Sequence, residues 1–104
     1  MLLKDEVYYN ELYSVYGGLL TESQRDVFDL YFGCNLSLGE IAEMKGVSRQ
    51  GVSGTLSVCK KALAEYEEQL GFLAKKKEVL RLIEGLPAEY ESVKSGIAKA
   101  LEDG

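Results

Sequence analysis

Apolar positions along the chain recur at steps of three and four, and no stretch alternates apolar with polar residues as a half-buried strand would. The pattern predicts an all-α fold. A first helix is expected over Leu3 to Tyr16, where Tyr8, Leu12, Val15, Tyr16 and Leu19 share one side of the helical wheel and Gly17-Gly18 ends the run. Thr21-Glu22-Ser23-Gln24 has the layout of a capping box, so a second helix should begin there. Val27, Phe28, Leu30 and Tyr31 supply its apolar face, and Gly33 its stop. A second capping box, Ser37-Leu38-Gly39-Glu40, opens a short third helix carrying Leu38, Ile41, Ala42 and Met44. Lys45-Gly46 closes it, and Ser48 caps a fourth.

From Val52 the apolar positions run Leu56, Cys59, Leu63, Tyr66, Leu70 and Leu73, a heptad-like stripe broken at Lys77 and resumed at Leu80. Gly71 weakens the expectation of one continuous helix. Val79, Leu80, Leu82, Ile83 and Leu86 cover more than one face, and Gly85-Leu86-Pro87 ends that segment. Tyr90, Val93, Ile97 and Leu101 then mark a last amphipathic helix over about residues 88–102. With no internal repeat or low-complexity tract, residues 1–104 are expected to form a single helical domain. Its core would span about residues 21–62, with a helical extension over about 63–104.

The turn between the third and fourth helices carries the most meaning. Ala42 is small where two helices must cross closely, and four residues later Gly46 can take the left-handed conformation of a tight turn. Val47, Val52 and Leu56 are expected to anchor the fourth helix on the third. Together these mark a helix-turn-helix, which sets its second helix into the DNA major groove. The residues placed to reach a base edge or a phosphate are Ser48, Arg49, Gln50, Ser53, Ser57 and Lys60. Arginine can pair with guanine and glutamine with adenine, but Ser53, Gly54 and Ser57 offer only short contacts.

Charge sharpens this picture. The net charge of −5 opposes wholesale attraction to nucleic acid. Its distribution is uneven: residues 37–62 hold Lys45, Arg49, Lys60 and Lys61 against Glu40 and Glu43, whereas the flanking segments are net acidic. The positive patch coincides with the motif, though it is small beside the phosphate contacts of a strong DNA binder. Two cysteines far apart and no histidine leave no metal site, and free thiols in a reducing cytosol are expected. No cofactor is implied. Adjacent carboxylates such as Glu67-Glu68 point about 100° apart on a helix, and no nucleophile stands beside a base, so no catalytic site is expected. The acidic start of the chain, lacking a signal-peptide pattern, and the absence of a long apolar run indicate a soluble, cytoplasmic protein without membrane insertion.

Two resemblances follow from these residues. "LLTESQRDVFDLYF" with "LSLGEIAEMKGVSRQGV" resembles region 4 of bacterial sigma-70 factors, whose helix-turn-helix meets promoter DNA. More closely, "LSLGEIAEMKGVSRQGV" with "ALAEYEEQLGFL" resembles the YlxM-like family of small bacterial helix-turn-helix proteins. That resemblance implies a regulatory role in the signal recognition particle pathway, whose genes commonly neighbour those of the family. The chain departs from the family pattern after Arg49-Gln50, where Gly51-Val52-Ser53-Gly54-Thr55 stands in place of alanine followed by polar or charged residues.

Three functions stay open. One is a DNA-binding regulator using the fourth helix, and another is an accessory protein binding the protein or RNA components of the signal recognition particle. The third is a helical dimerisation module. The resemblance favours a regulatory helix-turn-helix protein linked to that pathway. A homodimer is also expected, through the stripe of Leu63, Tyr66, Leu70, Leu73 and Leu80, which exceeds what a small helix-turn-helix core obviously covers.

Overall fold

Both capping boxes form. In the computed structural model, which describes the backbone of residues 4–103 and the side chains of residues 5–102, the Thr21 N–H donates to Gln24 Oε1 at 2.9 Å and the Gln24 N–H to Thr21 Oγ1 at 3.1 Å. The Ser37 N–H likewise donates to Glu40 Oε1 at 3.0 Å, and the Glu40 N–H to Ser37 Oγ at 3.1 Å. Each pair satisfies two backbone or cap donors that a helix start otherwise leaves unmet. The described residues form six α-helices and no strand: α1 (Lys4–Tyr16), α2 (Glu22–Phe28), α3 (Leu38–Lys45), α4 (Arg49–Leu70), α5 (Phe72–Glu84) and α6 (Glu91–Asp103). Short 3-10 turns cover Gly17–Leu19 and Ala88–Tyr90, and Asp29–Gly33 winds on from α2 as a wider π-type turn.

The chain divides into two compact units between Gln69 and Leu70. Leu63 and Tyr66 fall in the first of these units.

The first unit is built on side chains from all four of its helices. Leu12 and Tyr16 of α1, Val27 and Phe28 of α2, Ile41 and Ala42 of α3, and Val52, Leu56, Cys59 and Leu63 of α4 are buried, with Leu20 from the connection after α1. Phe28 lies stacked between Tyr13 (ring centroids 4.2 Å apart) and Phe32 (4.3 Å), joining α1, α2 and the π-type turn through aromatic faces. The Tyr16 hydroxyl donates to Glu67 Oε1 at 2.6 Å, tying the end of α1 to the far part of α4.

Four expected apolar-face positions of the first unit are exposed. Leu19 is exposed because α1 stops at Tyr16 and the 3-10 turn breaks the helical register, so Leu20 turns inward instead. Tyr8 is exposed near the start of α1, where its ring leans on Tyr9 at 5.7 Å. Met44 lies off the narrow face that Ile41 and Ala42 present. Val47 serves the fold through its backbone: its N–H donates to the Ala42 carbonyl at 3.0 Å as the chain leaves α3, and its side chain stays 53% exposed.

The second unit begins where Gly71, at φ 65°, ends the α4 run in a left-handed step that a side chain would resist. In it, α5 and α6 line a common groove of about 240 Å3. Leu73 and Ile83 are its buried apolar residues.

Candidate nucleic-acid interface

The geometry of the interface starts at Gly46, whose φ of 67° makes the sharp turn between α3 and α4. Ala42, buried, lets the two helices approach. Ser48 then takes the N-cap role, its Oγ accepting the Gly51 N–H at 2.9 Å. From there α4 runs 22 residues with Val52, Leu56, Cys59 and Leu63 on its buried side. That burial fixes which side faces solvent. Ser48, Arg49, Gln50, Ser53 and Ser57 are all exposed, and Arg49, Ser53, Ser57 and Lys60 follow one another at helical spacing along one flank. The structure therefore sets Arg49, Ser53 and Ser57 along one exposed flank of α4, with Ser48 at its cap, Gln50 about 100° around the helix and Lys60 at the border of the buried side.

Two cations of the positive patch are engaged elsewhere. Lys45, the last residue of α3, forms an ion pair with Asp26 of α2, nineteen positions away in sequence. Lys60 is half-buried, its Nζ 5.4 Å from the centroid of the Tyr9 ring and 5.9 Å from that of Phe32. Such a cation over two ring faces is held by their negative quadrupoles. Lys61, one position on, is exposed, and neither it nor Arg49 has an ion-pair partner among the described residues. Lys60 falls beside the side shared with Leu56 and Leu63, whereas Lys61 turns outward.

The outer face of α4 is bare of side chain at Gly51 and Gly54. A Cβ on Gly54 would meet nothing within 4 Å, and Gly51 and Gly54 line a shallow groove with Thr21, Ser23 and Gln24 at the start of α2. Acidic groups concentrate on another face: Glu22, Asp26 and Asp29 line a cleft with Tyr13, Arg25 and Lys45. There the Tyr13 hydroxyl is pushed up to about 12, first by burial and then by its hydrogen bond to the Asp29 carboxylate. Glu40 is held below the usual carboxylate range by the Ser37 backbone and hydroxyl, the capping box seen from its charged end.

The expected dimer stripe divides. Leu63 and Leu73 are buried, Tyr66 is half-buried with its ring 5.9 Å from that of Tyr16, and Leu80 is half-buried, so only Leu70, at 47%, is substantially exposed. Helical spacing told which residues share a side but not what covers that side. The two thiols are free, Cys34 exposed and Cys59 buried, and no group of His, Cys, Asp and Glu among the described residues could hold a metal. No described helix is long and apolar enough to cross a membrane.

Residues 3–102 match the family model described as "Putative helix-turn-helix protein, YlxM / p13 like". The chain is similar to a UPF0122 protein of Caldanaerobacter subterraneus subsp. tengcongensis, 42% identical over 80 residues that cover 77% of this chain and 68% of the relative. A UPF0122 protein of Desulforamulus reducens is 41% identical, covering 89% of this chain and 90% of its own length. One from Clostridium novyi is 36% identical over 97% of this chain and 92% of the relative.

Proposed function

The chain belongs to the YlxM / p13-like helix-turn-helix family, and on that footing we propose that it is a non-enzymatic regulator that binds DNA through the N-terminal half of α4. The observation that carries this reading is the exposed row of Arg49, Gln50, Ser53 and Ser57, set immediately after a Gly46 turn and backed by a buried face. Arg49 and Gln50 are the direct readers, able to pair with guanine and adenine edges. Lys61 and the free N–H groups at the start of α4 meet phosphates. The bare strip at Gly51 and Gly54 lets the helix backbone sit close to the groove floor.

So few cations make a modest binder. With Lys45 paired and Lys60 held by rings, about two or three phosphates are neutralised, which predicts a shallow salt dependence, log K falling with log salt at a slope of roughly −2 to −3. Fluorescence anisotropy on duplex DNA over a salt series measures it. Arg49→Ala is expected to weaken binding about 10-fold or more, the loss of one bidentate base contact, while leaving the melting curve in place. An unchanged isotherm beside an unchanged melting curve would remove α4 as the contact surface.

The setting implied by the resemblance is the signal recognition particle pathway, acting in the cytoplasm. Its alternative form, an accessory protein bound to the particle's protein or RNA, makes a different demand on a pull-down from bacterial lysate. Nuclease-sensitive recovery of promoter fragments supports DNA regulation; recovery of the particle's GTPase or RNA supports the accessory role.

A further inference from the structure

The second unit leaves several large apolar side chains uncovered. None of the described side chains of α6 is buried, although Val93, Ile97 and Leu101 repeat at helical spacing, as they do in helices that pack. Around them Phe72, Leu82, Leu86, Tyr90 and Val93 are each between 37% and 59% exposed. Of these, Phe72, Leu82 and Val93 fall on one side. Leu80, Ile83 and Glu84 of α5 face Glu91, Lys94, Ser95 and Ala98 of α6 across their shared groove, which fixes the inward side of each helix. At about 100° per residue, Phe72, Val79 and Leu82 then leave α5 on the same flank from which Val93, Ile97 and Leu101 leave α6.

We propose that this flank of the α5–α6 hairpin is the docking surface for the same flank of a second copy of this chain, so that two hairpins pack as four helices. Two observations select a second copy as the occupant. The first is area. Phe72, Leu82 and Val93 alone present about 350 Å2 per copy, taking roughly 200 Å2 for a large side chain, so self-pairing would bury about 700 Å2 of apolar surface, the apolar share of an interface of about 1,200 Å2, where specific interfaces begin. The second is charge. Residues 70–104 hold six basic and six acidic groups, so two hairpins meet without net repulsion, whereas residues 1–69 hold six basic against eleven acidic and would repel their own copy. Arg81 and Glu78 already pair with each other at 2.6 Å on the hairpin, and Lys75 is the charged group that shares the flank with Phe72, Val79 and Leu82. This flank differs from the stripe expected from the sequence, of which Leu63 and Leu73 are buried within the chain.

Sedimentation equilibrium of the full chain at micromolar concentrations tests the proposal. A mass of twice 11.5 kDa is expected. Val93→Glu and, independently, Leu82→Glu should each weaken self-association about 100-fold by placing a carboxylate in the apolar contact. Both positions are exposed, so far-UV circular dichroism should show helicity retained. Val58→Glu, an exposed apolar position on α4, should leave the mass unchanged. A mass of 11.5 kDa at every concentration overturns the proposal, as does a dimer that survives both hairpin substitutions or dissociates only with Val58→Glu. The test is independent of DNA binding, which the Arg49→Ala titration reads separately.

Discussion

Residues up to Gln69 and residues from Leu70 onward use similar amphipathic helices to opposite ends. Among the described residues the first unit buries eleven apolar side chains drawn from four helices, whereas the second buries two, Leu73 and Ile83, and exposes a row of large apolar groups instead. The first has enough layers to close a core around Phe28 and Leu56. The second is a two-helix unit of the size at which a lone core rarely suffices, and needs another surface to complete it. A helix periodicity therefore says that a face will be covered; the number of neighbouring elements says whether the chain covers it alone.

Breaking the first unit should give the largest effect. Phe28 is fully buried and stacked on two rings, so Phe28→Ala should cost about 3–5 kcal/mol, read by urea denaturation. Hydrogen exchange sharpens the contrast without mutation. Amides of α2 and the first half of α4 should exchange at the rate of global opening at any protein concentration. Those of α5 and α6 should become more protected as concentration rises, if a second copy covers them. Equal, concentration-independent protection in both units would erase the difference drawn between them.

The features legible in the sequence were those set by neighbours a few residues apart. The capping boxes at Thr21 and Ser37, the Gly46 turn, the Ser48 cap and the buried side of Val52 and Leu56 all follow from local residue types and spacing. What escaped depended on distant partners. Nothing near Lys45 announces Asp26, and nothing near Lys60 announces Tyr9 and Phe32, yet these contacts thin the positive patch of the candidate interface. Likewise Leu63 and Leu70 share one apolar stripe but differ in burial, because one lies under the first unit's helices and the other at the end of α4.

Alkaline titration gives a smaller and more local effect on the first unit. The neutral Tyr13 phenol is favoured in the folded protein, its pKa raised from 10.0 to about 12 by burial and by Asp29, against the opposing charge of Arg25. A raised folded pKa means that this contribution to stability is complete below pH 10 and is lost as pH climbs from 10 through about 12. Tyr13→Phe should flatten the fall in stability over that window, and the wild-type ultraviolet titration should show a phenol ionising late. A mutant whose stability falls as steeply as the wild type would mean that Tyr13 carries none of this dependence.

The smallest effect separates two glycines of α4 and bears on what the first unit presents to a partner. A Cβ at Gly54 meets open space, so Gly54→Ala should gain the usual helix preference of about 1 kcal/mol. At Gly51 the added Cβ would lie 3.1 Å from Ser48 Oγ, the atom that accepts the Gly51 N–H. Gly51→Ala gains the same preference but presses on the cap, itself worth about 1 kcal/mol, so its net effect on stability should be near zero. Thermal melts of the two variants check the ordering. DNA binding should then reverse it for Gly54. If the bare strip seats against the groove, the new methyl holds the helix off, and Gly54→Ala should raise the melting temperature while weakening binding. A variant that is more stable and binds as well as the wild type would show that Gly54 faces solvent in the complex, leaving Arg49 and Gln50 to make contact from the flank alone.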